Sequence, residues 1–222
     1  MDYNNVIVKK PWGKEYLCYR NEEVAIWYLH IEKDKETSMH CHPNKNTGFV
    51  VLDGHAELSF LRNSVQLEGL DKIHIFRSRF HSTKAITDSF ILEIETPEDK
   101  HDLVRLDDAY GRAGTDYEGK SHHIEKDEYC FWIPEAEIIP HVLSKNGCDI
   151  SHLKVKYKEQ ILNKEESDIF VVTYGGVVTD KNQKVVWPGD VIDGKTLHRL
   201  ATAFEIQDGT TMIYITKGRT YD

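Results

Sequence analysis

His40-Cys41-His42, with a third histidine at His81 beyond the apolar run Phe49-Val50-Val51-Leu52-Asp53-Gly54, is the part of this chain best equipped for chemistry. Residues two apart on a β-strand project from one face, so His40 and His42 can offer ring nitrogens to one centre, which i and i+2 on a helix cannot. Neutral imidazole is a borderline ligand suited to zinc, iron, nickel or copper. Three protein ligands leave coordination positions open for water or substrate, which is the pattern of a catalytic rather than a structural site. The competing assignment is plain: His40 and His42 as exposed loop residues and His81 as a hydrogen-bonded core histidine.

Two carboxylates also share a face, since Glu93 and Glu95 alternate with Leu92 and Ile94. Turned to a barrel interior, one of them could complete a metal site or serve as a general base on a carbon beside a carbonyl, its pKa raised by burial. Turned to solvent, they are ordinary polar positions, and the alternation favours this, with Leu92 and Ile94 filling the interior. Arg105, Tyr110 and Arg112 form a third group, candidates for holding a phosphate at a barrel mouth. With Asp107 and Asp108 beside them they suit a salt-bridged clasp between domains equally well. Trp12 reads as a lid over the interior, and His74 as a wall residue outside the ligand set.

The elements that must position these groups are short. Ala25 to Ile31, Gly48 to Leu52, Ala56 to Leu61, Lys72 to Phe76 and Phe90 to Ile94 are β-rich runs separated by turn residues, and long helical periodicity is missing. This is an all-β pattern of sandwich or barrel type. The order recurs: Phe170-Val171-Val172-Thr173-Tyr174-Gly175 echoes the run from Phe49 to Gly54, and Met212 to Thr216 echoes Ile91 to Glu95. The same alignment makes His198 the counterpart of His81 and puts Ile161 and Asn163 where His40 and His42 stand, so the second repeat lacks the paired imidazoles.

The polar stretch 112–120 suits a linker, giving an N-terminal domain over 1–112 and a C-terminal domain over 121–222. His122-His123 reads as a surface loop, because adjacent strand residues face opposite ways. A net charge of −9 without clustered Lys and Arg argues against a nucleic-acid partner. No segment suits a membrane span or a secretory leader, so a cytoplasmic location is expected. Cys18, Cys41, Cys130 and Cys148 are scattered, which favours reduced thiols, with Cys41 turned away from its flanking histidines.

Two barrels, the first with an H-x-H strand, a glycine-closed hairpin and a later single histidine, resemble the cupin superfamily, arranged as a bicupin of two tandem jelly rolls. Lys10-Pro11-Trp12-Gly13 at the start of the first domain, and Asp102-Leu103-Val104-Arg105-Leu106-Asp107-Asp108-Ala109-Tyr110-Gly111-Arg112 at its end, are similar to the cupin domain of type II mannose-6-phosphate isomerases. The resemblance implies one divalent ion (Zn, Fe, Mn or Ni) on His40, His42 and His81. Its usual fourth ligand, a Glu, is replaced here by Thr47. Phe76 and Ser78 likewise stand where proline and glycine are usual.

The resemblance thus implies a metal-dependent isomerase or epimerase of a sugar phosphate or nucleotide sugar, in bacterial surface-glycan biosynthesis, acting as a homodimer. Loss of the Glu keeps open a three-His non-haem iron dioxygenase. Loss of the site in the second repeat keeps open a non-catalytic sugar-binding protein.

Overall fold

The computed structural model describes residues 3–115, 117 and 120–218. It divides into two compact units, Met1–Arg20 with Ala25–Trp132, and Asn21–Val24 with Ile133–Asp222. Of the expected linker, Asp116, Glu118 and Gly119 lie outside the described residues, as do 219–222 at the end of the second domain. The first unit continues past that linker, because His123–Glu125 pairs with Val6–Lys10. His123 is therefore on a strand and not in the loop expected for it.

The strands of the first unit are β1 (Val6–Lys10), β2 (Gly13–Arg20), β3 (Ala25–Ile31), β4 (Met39–Cys41), β5 (Asn46–Asp53), β6 (His55–Phe60), β7 (Ser64–Glu68), β8 (Lys72–Ile75), β9 (His81–Ala85), β10 (Ser89–Thr96), β11 (Val104–Asp107) and β12 (His123–Glu125). They form two antiparallel sheets, β12-β1-β2-β3-β10-β5-β8 and β11-β4-β9-β6-β7. From β3 to β10 the chain passes back and forth between the sheets, so that β3-β10-β5-β8 and β4-β9-β6-β7 are the two halves of a double-stranded β-helix, the jelly-roll arrangement. Trp27, Leu29, Phe49, Val51, Leu58, Phe60 and Ile91 make its apolar core. The corner between β5 and β6, where the chain leaves one sheet for the other, turns on Gly54 at φ +96°, where an added Cβ would stand 2.2 Å from the Asp88 carbonyl oxygen. Only glycine fits that turn without moving backbone.

The second unit contains β13 (Val142–Lys145), β14 (Cys148–Lys154), α1 (Glu159–Leu162), β15 (Ile169–Tyr174), β16 (Val177–Val178), β17 (Lys184–Val186), β18 (Val191–Asp193), α2 (Gly194–Ala203), β19 (Glu205–Ile206) and β20 (Thr211–Lys217). Its sheets are β13-β14-β20-β15-β18 and β17-β16-β19. The order β14-β20-β15-β18 repeats β3-β10-β5-β8, and β17-β16-β19 repeats β7-β6-β9. The register repeats too: Phe49 faces Glu93 in the first unit, and Phe170 faces Tyr214 in the second.

Two helices interrupt this correspondence. Where the first unit has β4, the second has α1. Ahead of β19, the counterpart of β9, stands α2, started by Asp193, whose Oδ1 accepts from the Thr196 N–H at 2.7 Å, and held by burial of Leu197 and Ala201 at i, i+4. His198 therefore lies on a helix, not on a strand equivalent to that of His81.

No helix among the described residues is long and apolar enough to cross a membrane.

Candidate metal centre

His40 on β4 pairs across the ladder with His81 on β9, and His42 follows β4 directly. The strand geometry expected from the i, i+2 spacing therefore brings all three rings together. One ring nitrogen from each of His40, His42 and His81 lies within 4.8 Å of those of the other two, and the ring centroids of His40 and His81 are 4.4 Å apart.

Backbone carbonyls fix the orientation of every ring. Nδ1 of His40 donates to Ser38 O at 2.7 Å, that of His42 to Asp102 O at 2.6 Å and that of His81 to Arg79 O at 2.9 Å. With the proton on Nδ1, each Nε2 carries a lone pair. The Nε2 atoms of His42 and His81 are buried without any hydrogen-bond partner. Orphaned buried acceptors of this kind are costly, and a bound cation is what would satisfy them.

The protonation state agrees. Burial, reinforced by the Lys45 ammonium, lowers the pKa of His42 to about 3, and burial lowers that of His81 to about 4. Burial and the neighbouring His81 and His42 push His40 well below the usual histidine value. All three are neutral at pH 7, the form that ligates metal. Cys41, by contrast, is a buried free thiol outside this cluster.

The imidazoles border a cavity that also receives Glu93 and Glu95. This corrects the solvent-facing expectation for those carboxylates, since Glu93 is 7% and Glu95 1% exposed. Leu92 and Ile94 are fully buried as well, so β10 is covered on both faces and its alternation carried no directional information. The two carboxylates differ sharply. Burial raises Glu93 to about 7, only partly opposed by Lys100, and among the described residues no hydrogen bond holds its carboxylate. Burial acts on Glu95 in the same direction but is overcome by Lys100 and Lys45, which bring it down to about 2. Lys45 Nζ donates to Glu95 Oε1 at 2.7 Å and Lys100 Nζ to the same oxygen at 3.0 Å.

A wider set of paired charges surrounds this pair. Lys100 also approaches Glu15 Oε1 at 3.6 Å and stacks over the Trp27 ring at 3.6 Å, while Lys10 reaches the same Glu15 oxygen at 3.5 Å. Tyr117 donates its hydroxyl to Glu15. Burying this many charges is tolerable only because they are mutually paired. Sequence reasoning missed Lys10, Glu15, Lys45, Lys100 and Tyr117. The nearness of Lys45 to His42 in sequence was the one signal available.

The motif that closes the first domain now has a structural role. Asp102 accepts from Asn44 N–H, Asn44 Nδ2 and Lys45 N–H, each at 2.9 Å, and so clamps the loop bearing His42 while its own carbonyl orients that ring. Arg105, opposite His40 in the β4–β11 ladder, borders the cavity and donates to Thr115 O at 2.7 Å. Arg112 borders it too, paired bidentately with Asp108 at 2.7 and 3.1 Å. That ion pair closes a local i, i+4 turn inside the first unit. Tyr110 stands apart from the cavity, its hydroxyl accepting from Glu36 N–H at 3.3 Å. Trp12 is 4% exposed and lines the cavity, while His74 lies on β8 outside the ligand set.

No protein-family profile matches the chain. No curated protein matches it either. Among solved structures, it is similar to KdgF from Halomonas sp. (14% identity over 40% of this chain and 84% of that one, TM-score 0.39). It is also similar to an RmlC-like cupin from Shewanella frigidimarina (16% identity, 45% of this chain and 90% of that one, TM-score 0.40). A putative sugar phosphate isomerase from Acidithiobacillus ferrooxidans matches at 22% identity over 35% of this chain and 52% of its own (TM-score 0.32).

Proposed function

We propose that this chain is a bicupin that holds one divalent ion on His40, His42 and His81 and isomerises or epimerises a sugar phosphate or nucleotide sugar by proton transfer next to a carbonyl. The observation that carries the proposal is the meeting, in one cavity, of three neutral imidazoles bearing inward Nε2 lone pairs and a carboxyl group, Glu93, whose pKa is raised to about 7. A bound ion supplies a Lewis acid for the substrate carbonyl.

Glu93 moves the proton, because a carboxyl titrating near neutrality can both take a proton from one carbon and return it to the next. Glu95, tied down by Lys45 and Lys100, stays an anion and does not exchange protons. Lys10, Arg105 and Arg112 border the cavity and favour an anionic group on the substrate. Tyr110, bonded to the Glu36 backbone, shapes the adjoining loop and is not a direct contact in this scheme. The proposal extends to a cytoplasmic homodimer acting in surface-glycan biosynthesis.

The test is incubation of metal-loaded protein with a panel of aldose and ketose phosphates and nucleotide sugars in D2O. Deuterium entering the carbon beside the carbonyl, lost in Glu93→Gln, supports the proposal. Absence of exchange across the panel from fully loaded protein counts against it. One observation favours a second reading, the three-His dioxygenase: no carboxylate oxygen belongs to the mutually close ligand cluster among the described residues. Substrate-dependent O2 uptake by iron-loaded protein, without deuterium exchange, would select that reading.

A further inference from the structure

Glu95 has an unsatisfied oxygen that the proton-transfer role leaves unused. Its Oε1 accepts from both Lys45 and Lys100, whereas Oε2 is buried and has no hydrogen-bond partner. The strand register sets Glu95 of β10 directly opposite Thr47 of β5. Thr47 is the position where the cupin resemblance leads one to expect a ligating carboxylate, and its hydroxyl is also buried without a partner. Glu95 borders the same cavity as the imidazoles.

Three neutral imidazoles leave a divalent ion's charge uncompensated inside a site of low dielectric, where an uncompensated charge is expensive. A carboxylate oxygen with no other partner is the group best placed to neutralise it. We propose, on the reading that the triad holds a divalent ion, that Glu95 is its fourth protein ligand, the carboxylate being supplied by β10 at the position paired with Thr47 of β5. Oε2 would take the ion while Oε1 keeps Lys45 and Lys100, the supporting contacts that a ligating carboxylate commonly has. Oε2 lies outside the tight nitrogen cluster, so ligation requires the side chain to turn toward the rings. Glu93 is not equivalent: it stands opposite Phe49, not Thr47.

The test compares zinc affinity of the full chain, by competition with a chromophoric chelator, for wild type, Glu95→Gln, Glu93→Gln and His40→Ala/His42→Ala. A crystal structure of zinc-loaded wild type accompanies it. We expect Glu95→Gln to weaken zinc at least about 10-fold, on the order of a lost ligand or supporting contact. Glu93→Gln should stay near wild type. Glu95 Oε2 should lie about 2.0–2.2 Å from the ion in the crystal. Wild-type affinity in Glu95→Gln, or a water in place of Oε2, overturns the inference. Should Glu95→Gln fail to fold, the zinc-loaded wild-type structure decides alone. If zinc is lost in the double histidine variant but ignores Glu95, this inference alone fails. If wild type and the double variant bind equally poorly, the metal-site reading fails with it.

Discussion

In the first unit β4 carries His40 opposite His81, and the interior beside them is lined with paired Lys and Glu side chains; in the second unit the corresponding stretch is α1, and the interior is closed by apolar packing. There Ile161, aligned with His40, is a fully buried member of a cluster with Phe170, Val172, Leu197 and Met212. Tyr214 stands where Glu93 stands and stacks on Phe170 at 6.0 Å. His198 donates from Nε2 to the Ile161 carbonyl at 3.0 Å, so its nitrogen is consumed by a helix terminus. The difference teaches that one strand order can make either a site or a core. What decides is whether the strand carrying the H-x-H pair survives and whether the facing strand brings carboxylates or apolar groups.

That contrast predicts opposite responses to size-matched changes. Lys100→Met keeps the bulk but strips a cation from between Glu95 and Glu15, and should cost about 3–5 kcal/mol in urea unfolding. Within the same interior, Glu93→Gln should leave the fold intact and lower proton exchange in the deuterium assay by about 10²–10⁴-fold. Retained exchange would remove Glu93 from the chemistry.

Acid should expose the difference next. In metal-free protein His42 and His81 stay neutral down to about pH 3 and 4, while in the unfolded chain they protonate near 6.5. As pH falls below about 6.5 the unfolded state takes up protons the folded state refuses, so stability drops by up to about 1.4 kcal/mol per pH unit for each histidine. Glu93 opposes this, because between about pH 4.5 and 7 it keeps a proton that the unfolded chain releases, which offsets one histidine. Below about pH 4.5 the depressed Glu95, held by Lys100 and Lys45 against its burial, adds to the loss. Tm should therefore fall from pH 6.5 to 4, less steeply in His42→Ala; equal slopes in the two proteins would contradict the burial argument. The smallest effect belongs to the second unit: Met212→Leu, a near-isosteric change in an apolar core, should cost under about 1.5 kcal/mol.

Much of this was legible in the chain. Strand spacing was enough to put His40 and His42 on one face, the family resemblance added His81, and the repeated apolar runs located equivalent strands, with Phe49 and Phe170 in matching register. Three things were not. The direction of Glu93 and Glu95 was hidden because β10 is buried on both faces, so apolar residues flank the carboxylates whichever way they point. The helix bearing His198 depends on a local Asp193 cap and an i, i+4 apolar pair, which an alignment to a strand overrides. Lys45 and Lys100 could not be placed in the interior from sequence, since burial of an ammonium is tolerable only once Glu15 and Glu95 meet it in three dimensions.

The measurement closest to the central claim is the metal content of tag-free protein purified without chelator, by plasma mass spectrometry, beside His40→Ala/His42→Ala prepared identically. Near-stoichiometric divalent metal in the wild type, lost in the variant, is the predicted result. Equal trace metal in both would contradict the account.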